Sequence, residues 1–372
     1  MTESSDFKNR RLSLGTPNRL KIGLFGANAS GGTFFTMVPE RWEASWADNV
    51  HVAQMADEAG VDFLLPLARW KGYGGHSDPG GFSHETIAWA SGLLARTKRI
   101  HIFATVHAPL INPVFAAKQF VTVDHIGEGR LGINIVVGWN EDEFKMFGVD
   151  TPPAARYPYT REWVDCMKRL WSSEEEFDYQ GDFLKLRGLK GRPAPFGGSR
   201  PILLNAGMSE IGQKFAIESC DGLFTTPPKA DFSGAFAANI AEVKRRAASK
   251  GVPYPVYTYA IVICRPTKAE AEDFHQYCLD NADLPAVDKM LAVREQAGVE
   301  LPQDLEARRA SLLRSFGGVR LIGDPDYIAG EFARFAAAGI DGIALILVNQ
   351  AKELPFFLAE VEPRLRRMGL RG

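Results

Sequence analysis

Short apolar runs alternate with amphipathic helical patterns along most of the chain. The runs that read as strands are "KIGLFGANA" (21–29), "VDFLLPLA" (61–68), "RIHIFATVHA" (99–108), "RLGINIVVG" (130–138), "PILLNAG" (201–207), "DGLFTTP" (221–227), "PVYTYAIVIC" (255–264) and "GIDGIALIL" (339–347). Strands that alternate with helices predict a parallel sheet. Eight such units in about 350 residues predict an α/β protein, a (β/α)8 TIM barrel with insertions. An open doubly wound sheet is the rival, but no Gly-x-Gly-x-x-Gly follows the first strand.

The helix signals fit the same repeat. Residues 43–59 predict a helix that Gly60 stops, and Asn112-Pro113 predicts the start of another, with Asn as the N-cap. The repeat is interrupted at about 173–200, where a β-hairpin is expected, and at about 267–318, which reads as mostly helical. We therefore expect a single barrel domain over 21–372 with two insertions. Residues 1–20 are expected to be a loose tail or an arm that packs on another subunit.

Composition excludes several classes of function. Lys and Arg total 43 against 45 Asp and Glu, so the formal net charge is −2 and neither nucleic acid nor an anionic membrane is an expected partner. No apolar run reaches the roughly 18 residues that a membrane span needs. The start of the chain lacks the apolar core of a signal peptide. The four cysteines form no CxxC pair, which favours reduced thiols in a cytoplasmic protein.

Polar residues gather where the predicted strands end, which is where TIM-barrel active sites lie. They include Thr105 and His107 on the third strand, Asn134 within the fourth, and Trp139 and Glu143 just after it; later strands end in Asn205, Gly207, Ser209, Thr225 and Thr226. Because alternate barrel residues point inward, Asn134 is expected to face the interior while Ile133 and Ile135 pack against helices. Its partner is either a bound ligand or a side chain of a neighbouring strand.

The strand ends lack a nucleophile motif and a metal-binding motif, so no metal is expected. His107 is either an acid/base or a structural histidine. Amides, hydroxyls and arginines around an aromatic-rimmed mouth suit an organic cofactor that carries the chemistry itself. Ser209 opens a helix and Arg156 offers a fork of donors, so together they predict a phosphate site, whereas singly they read as an N-cap and a surface ion pair.

Four stretches carry a family resemblance. They are "TVDHIGEGRLGINIVVGWNEDEF", "ARYPYTREWVDCMKRLW", "FDYQGDFLKL" and "LLNAGMSEIG". They resemble the bacterial-luciferase-like FMN-dependent monooxygenases, most closely the subgroup of pyrimidine and dimethyl-sulfone monooxygenases. The resemblance runs over nearly the whole chain. It implies a two-component enzyme that uses reduced FMN and O₂ on a small organic substrate such as an N-heterocycle, an amide, a sulfone or a halogenated ring.

The resemblance also implies roles for individual residues. Those that it assigns to the cofactor are Ala68, Arg69, Asn134, Glu143, Arg156, Tyr157 and Ser209. Thr105 and Asn134 would line the pocket where O₂ meets the flavin, and His107 is a possible proton donor. Trp139 would wall the substrate, with Arg69 beside it. The pyrimidine enzymes have Lys where this chain has Arg69, and the loop "HSDPGGF" (76–82) matches neither subgroup, which leaves the substrate open.

The family implies partners as well. A separate NAD(P)H:flavin reductase would supply reduced FMN, since no reductase domain is visible in the sequence, and a dimer or tetramer is expected. Two other functions stay open on the same fold. One is an F420-dependent reductase that transfers hydride and ignores O₂, and the other is a flavin-binding protein without catalysis.

Overall fold

The structure is a computed structural model that describes residues 2–225, 234–315 and 318–372. The strands in these ranges are β1 (Lys21–Phe25), β2 (Phe63–Leu65), β3 (His101–His107), β4 (Leu131–Val136), β5 (Phe177–Gln180), β6 (Lys185–Leu189), β7 (Ile202–Asn205), β8 (Gly222–Phe224), β9 (Val256–Cys264), β10 (Val319–Gly323) and β11 (Gly342–Ile346). The helices are α1 (Thr2–Leu12), α2 (Trp46–Ala59), α3 (Thr86–Leu94), α4 (Pro113–Ile126), α5 (Glu141–Met146), α6 (Pro153–Ser172), α7 (Glu210–Ser219), α8 (Gly234–Ala247), α9 (Lys268–Asp280), α10 (Leu284–Gln296), α11 (Leu305–Ser315), α12 (Pro325–Ala337), α13 (Gln350–Glu360) and α14 (Glu362–Arg367).

Eight parallel strands close into a barrel. Their order is β1-β2-β3-β4-β7-β8-β9-β11, and β11 pairs back with β1. The predicted TIM barrel is therefore confirmed. The predicted helix boundaries also match local chemistry: Gly60 ends α2 in the left-handed conformation, and the Asn112 side chain accepts from the first free N–H groups of α4.

The strands alternate between an outer and an inner face, as barrel geometry requires. Ile133 and Ile135 of β4 belong to the large cluster that packs against the helices. Phe103 of β3 and Leu204 of β7 belong to a second cluster inside the barrel. Asn134 lies between the two isoleucines and pairs in register with Thr105 on β3, so both side chains are placed on the inner face.

The N-terminal residues pack against the barrel of their own chain. Leu12 and Leu14 join the inner cluster that contains Phe103, and they close the end of the barrel where the strands begin. Arg11 donates to both carboxylate oxygens of Asp124, at 2.7 and 2.9 Å, and both side chains are buried. The segment expected as a tail or arm thus begins with a helix. Its polar sequence lacks the apolar periodicity from which the other helices were predicted.

Residues 173–200 contain the antiparallel hairpin β5–β6, and α9, α10 and α11 fill most of 267–318. Strand β10, which pairs with the end of β9 beside the barrel, was not predicted. Helix α10 packs on Phe35 and Tyr73, which follow β1 and β2 in the chain. The second insertion therefore lies beside the C-terminal end of the barrel. None of the described helices combines the length and the hydropathy that a membrane span requires.

Candidate active site

A chain of hydrogen bonds fixes Asn134 at the inner face of β4. The Thr105 hydroxyl donates to the Pro66 carbonyl oxygen at 2.7 Å, so its oxygen has only acceptor capacity left for Asn134. The Asn134 amide nitrogen donates to that oxygen at 3.3 Å. Asn134 Oδ1 is consequently turned away from Thr105, and it is buried without a hydrogen-bond partner among the described residues. A buried acceptor of this kind is costly unless a ligand or water satisfies it.

His107 ends β3 on the same side of the barrel. Burial, together with the positive charges of Arg69 and Arg156, lowers the pKa of His107 from 6.5 to about 3, so the imidazole is neutral near pH 7. Its Nδ1 is buried and makes no hydrogen bond with any described residue. As a neutral ring it can donate or accept one hydrogen bond, but it carries no imidazolium proton for general-acid work at that pH.

The Gly-Trp turn after β4 comes close to His107. Gly138 has φ of 81°, and a Cβ there would lie 2.4 Å from the Phe144 ring and 3.1 Å from His107. A side chain at position 138 would therefore push the turn away from the strand ends. Glycine is required both by the left-handed backbone and by this close approach.

Glu143 ties the loop after β2 to the turn after β4. Its Oε1 accepts from Arg69 at 3.2 Å and from the backbone N–H groups of Trp70 and Lys71 at 2.9 and 3.4 Å. The carboxylate is almost completely buried, and these charge-assisted bonds compensate for that burial. The Arg69 guanidinium also lies over the rings of Trp139 and Tyr73, at 5.6 and 5.1 Å. Glu143 thus positions Arg69, whose guanidinium contacts Trp139. The roles of these three residues toward cofactor and substrate stay predictions.

Arg156 stabilises the same turn. It donates to the carbonyl oxygens of Thr151 at 3.0 Å and Gly138 at 3.1 Å, and to the Glu141 carboxylate at 2.6 Å, and it stacks on Phe144 at 4.0 Å. Three of its five N–H groups are engaged in this way, which leaves two for a ligand. Its pairing with Ser209 at a phosphate stays a prediction.

Tyr157 and Ser209 do come together, at the start of α7. Ser209 is the N-cap and accepts from the Gly212 N–H at 3.2 Å. A Cβ on Gly212 would lie 2.5 Å from the Tyr157 hydroxyl, and one on Gly207 would lie 2.5 Å from the Gly212 backbone. Burial raises the pKa of Tyr157, against an opposing hydrogen bond with Ser209. Two glycines thus bring β7, the tyrosine and a helix N-terminus into contact, which is a suitable setting for an anion.

A cavity of about 640 Å³ lies at the ends of β2 and β3. Its lining includes Ala68, Arg69, Thr105, His107 and, on α4, Phe115. This volume is within the range of small-molecule sites. Ala68, which the resemblance assigned to the cofactor, therefore borders a space large enough for one.

Two further groups lie at this end: the sequence placed Asn205 at a strand end without assigning it a role, and it did not indicate Tyr73. Asn205 donates to the Ile135 carbonyl oxygen at 2.7 Å while its buried Oδ1 has no partner among the described residues. The Tyr73 hydroxyl is also buried without one. An amide at a strand end was a visible signal for Asn205, whereas Tyr73 lies in a loop without a pattern. Thr226, expected at the end of β8, lies outside the described residues.

The loop 76–82 is fastened to the second insertion. Asp283, the buried N-cap of α10, accepts from the backbone N–H and the hydroxyl of Ser77 at 2.5 and 2.7 Å. Asp78 accepts from the Gly74 N–H at 2.6 Å.

Among the described residues, no group of three or more His, Cys, Asp or Glu side chains could hold a metal ion.

Comparison with known proteins places this geometry in a family. Residues 23–342 match the model of the luciferase-like monooxygenases. The chain is 28% identical over 357 residues to an FMNH₂-dependent dimethylsulfone monooxygenase of Pseudomonas fluorescens, an alignment that covers 94% of this chain and 95% of the relative. It is 26% identical over 353 residues to a pyrimidine monooxygenase of Acinetobacter baylyi, covering 92% and 94%.

Solved structures agree on the fold. A riboflavin lyase, determined with modified FMN and riboflavin, superposes with a TM-score of 0.82 at 20% identity, covering 95% of this chain and 93% of that one. The resemblance inferred from four stretches of sequence is confirmed, including the subgroup. Since the family model covers most of the chain, this protein belongs to the luciferase-like monooxygenase family.

Proposed function

We propose that the protein is a two-component flavin-dependent monooxygenase. It binds reduced FMN at the C-terminal end of the barrel and uses O₂ to oxygenate or oxidatively cleave a small organic substrate. The observation that carries this proposal is the fixed Thr105–Asn134 pair, whose free amide oxygen lies on the inner face of the barrel, at the end that the 640 Å³ cavity borders. Two of the relatives, an FMNH₂-dependent dimethylsulfone monooxygenase and a pyrimidine monooxygenase, support it.

The residues present fit FMN at both ends of the molecule. Ser209, the Tyr157 hydroxyl and the free N–H groups that begin α7 would hold the phosphate, aided by the remaining donors of Arg156. Asn134 Oδ1 and Ala68 would meet the ring system, where the buried acceptor requires an N–H donor. Glu143 contributes indirectly, because it fixes the loop that carries Ala68 and Arg69.

When bound, reduced FMN supplies the two electrons with which one oxygen atom enters the substrate and the other leaves as water. Asn134 orients the reacting groups, and Thr105 keeps its amide in one orientation. Neutral His107 can donate one hydrogen bond into the same space. Trp139, held against Arg69, walls the substrate side and limits the access of water.

Separate partners complete this proposal. Reduced FMN would come from an NAD(P)H:flavin reductase, and the protein would act in the cytoplasm as a dimer or tetramer. An F420-dependent reductase remains the alternative within the fold, and a non-catalytic flavin carrier is a further one. Oxygen consumption separates the monooxygenase from both alternatives, and hydride transfer from reduced F420 separates those two from each other.

The test is a reconstitution under ¹⁸O₂. The protein, FMN, NADH and a flavin reductase are incubated with a panel of N-heterocycles, amides, sulfones and halogenated rings, and products are analysed by mass spectrometry. A product that carries one ¹⁸O atom, absent when the protein is omitted, is the expected result. Hydride transfer from reduced F420 to a substrate, with no labelled product, would contradict the proposal.

A further inference from the structure

An arginine of the second insertion lies at the mouth of the barrel, and its guanidinium has no partner among the described residues. Arg294 lies on α10, one helical face of which carries Val287 and Leu291 into the cluster around Tyr73. Residues spaced by three or four share a helix face, so Arg294 is on the side that meets Tyr73. It is half-buried, and its guanidinium makes no hydrogen bond or ion pair with any described residue.

The surroundings of Arg294 partly desolvate its unpaired guanidinium, which costs free energy. Burial lowers the pKa of Arg294, while the Tyr259 and Tyr73 rings lie within electrostatic range. Tyr259 comes from β9 and stacks on Phe25 inside the barrel, with ring centroids 5.2 Å apart. The guanidinium is therefore partly removed from water between the loop after β2 and the barrel interior. Unpaired charges in such places are rare because desolvation is expensive.

A second unsatisfied group lies beside it. The Tyr73 hydroxyl is buried and has no hydrogen-bond partner among the described residues. The ring of Tyr73 packs under Arg69 at 5.1 Å, and Arg69 also contacts Trp139, the expected substrate wall. A cation, a phenol donor and the substrate wall thus meet at one place, and the donors there outnumber the acceptors.

The charge around this place is positive as well. Arg69 is neutralised by Glu143. The next carboxylate, Asp142, is shared by Lys71, Lys145 and Lys289, at 3.4, 3.7 and 3.8 Å. One carboxylate for three ammonium groups leaves a local surplus of positive charge, which Asp78 and Asp283 beside the loop reduce and Arg294 increases.

We propose that the substrate is a small organic anion, a carboxylate or a sulfonate, whose charged group binds Arg294 and the Tyr73 hydroxyl. A guanidinium matches the two oxygens of such a group, and the phenol supplies one more donor. This inference rests on the proposed function, because it names the substrate class of the same site. It also separates this chain from its dimethylsulfone relative, whose named substrate is uncharged.

The test compares matched charged and neutral ligands by calorimetry, on both FMN-free and FMN-loaded protein. The probes are benzoate against benzamide and methanesulfonate against dimethyl sulfone. The anion of each pair should bind more tightly. Arg294→Ala should weaken its binding by about tenfold or more, as expected for the loss of a charge-assisted hydrogen bond, and leave the neutral ligand unchanged. Arg294→Lys should restore part of the affinity.

Two further variants define the control. Tyr73→Phe removes only the hydroxyl and should weaken the binding of the anion by a few-fold. Arg245→Ala removes an exposed charge from α8 and should leave the affinity for the charged and for the neutral ligand unchanged. Equal binding of charged and neutral probes, or an Arg294→Ala variant that binds anions normally, would overturn the inference.

FMN itself carries an anion, and the same variants distinguish that source. If Arg294→Ala weakens the binding of FMN but not of riboflavin, the arginine binds the cofactor phosphate and the substrate assignment is wrong. If the wild-type protein binds the anions but no FMN, the proposed cofactor fails while the anion site stands. The two failures are therefore distinguishable in one set of titrations.

Discussion

The two ends of the barrel differ in whether their buried charged groups have a partner of opposite charge. At the end where strands begin, buried charges are paired: Arg11 with Asp124, and Arg371 with both Asp62 and Glu362. At the end where strands finish, the half-buried guanidinium of Arg294 has no charged partner among the described residues. Buried polar atoms without a hydrogen-bond partner occur at both ends, so the contrast lies in the charges. In TIM barrels the first end serves stability and the second serves chemistry. The difference indicates that the Arg294 charge at the mouth is kept for a ligand.

Strand β3 shows the same contrast within seven residues. His101 begins the strand and His107 ends it, and burial lowers the pKa of each to about 3. The two histidines therefore have the same electrostatic behaviour at opposite ends. Only His107 borders the cavity, so any difference between their variants in catalysis reports position and not protonation.

The largest expected effect is on stability. Asp124→Ala leaves Arg11 buried without its carboxylate, which should lower the free energy of unfolding by about 3–5 kcal/mol. Urea unfolding measures this, and the folded variant should bind FMN normally. Glu242→Ala removes an exposed ion pair on α8 and should leave the midpoint nearly unchanged. A stable Asp124→Ala variant with weak FMN binding would reverse the assignment of the two ends.

Asn134→Ala should act on the other end alone. The loss of a preorganised group at the reacting centre should reduce labelled product per reduced FMN by about 100-fold, with an unfolding midpoint close to the wild type. The matched change is Asn18→Ala, which removes an amide that donates to Asp62 at the opposite end. That variant should keep full product formation. Normal turnover in Asn134→Ala would contradict a role in positioning.

The histidines predict how stability depends on pH. In the unfolded chain the two histidines are protonated below about pH 6.5, whereas in the folded protein each is protonated only below about pH 3. Stability is therefore lost as the pH falls through this window, by about 2 kcal/mol for each histidine at pH 5.

His101→Gln and His107→Gln should each lose less stability between pH 7 and pH 5 than the wild type, as measured by urea unfolding at both values. Only His107→Gln should also change product formation. If His101→Gln impairs turnover equally in folded protein, the separation of the two ends fails.

The smallest effect is expected at Glu143. Glu143→Gln keeps an oxygen for the Trp70 and Lys71 N–H groups but removes the charge that pairs with Arg69. FMN affinity should fall by about five- to tenfold, or about 1 kcal/mol, because the loop that carries Ala68 loosens. Fluorescence titration measures it. Glu128→Gln, just before β4 at the opposite end, should have no effect on FMN.

The barrel could be predicted because its signals are local. The period of apolar residues, the Gly60 stop and the Asn112 cap each act within a few residues. Asn134 was visible for a related reason, since an amide interrupts an apolar strand. Helix α1 escaped prediction because it is polar and is stabilised by a distant carboxylate, Asp124.

The remaining site residues depend on contacts that a sequence does not display. Arg294 and Tyr73 are 221 positions apart and meet only because the second insertion packs at the barrel mouth. Arg156 was expected at a phosphate, yet most of its donors hold the Gly138 turn and Glu141, a role set by how α6 packs. Long-range placement of insertions, rather than local pattern, decides these contacts.

Every role proposed for the strand ends depends on the binding of reduced FMN at the mouth of the barrel. The most direct measurement is an anaerobic titration of the purified protein with reduced FMN, followed by tryptophan fluorescence, with reduced F420 in a parallel titration. We expect saturation at one FMN per chain, weaker binding of FMN by Asn134→Ala and Ser209→Ala, and no comparable binding of F420. Saturation by F420 with no response to reduced FMN would contradict it.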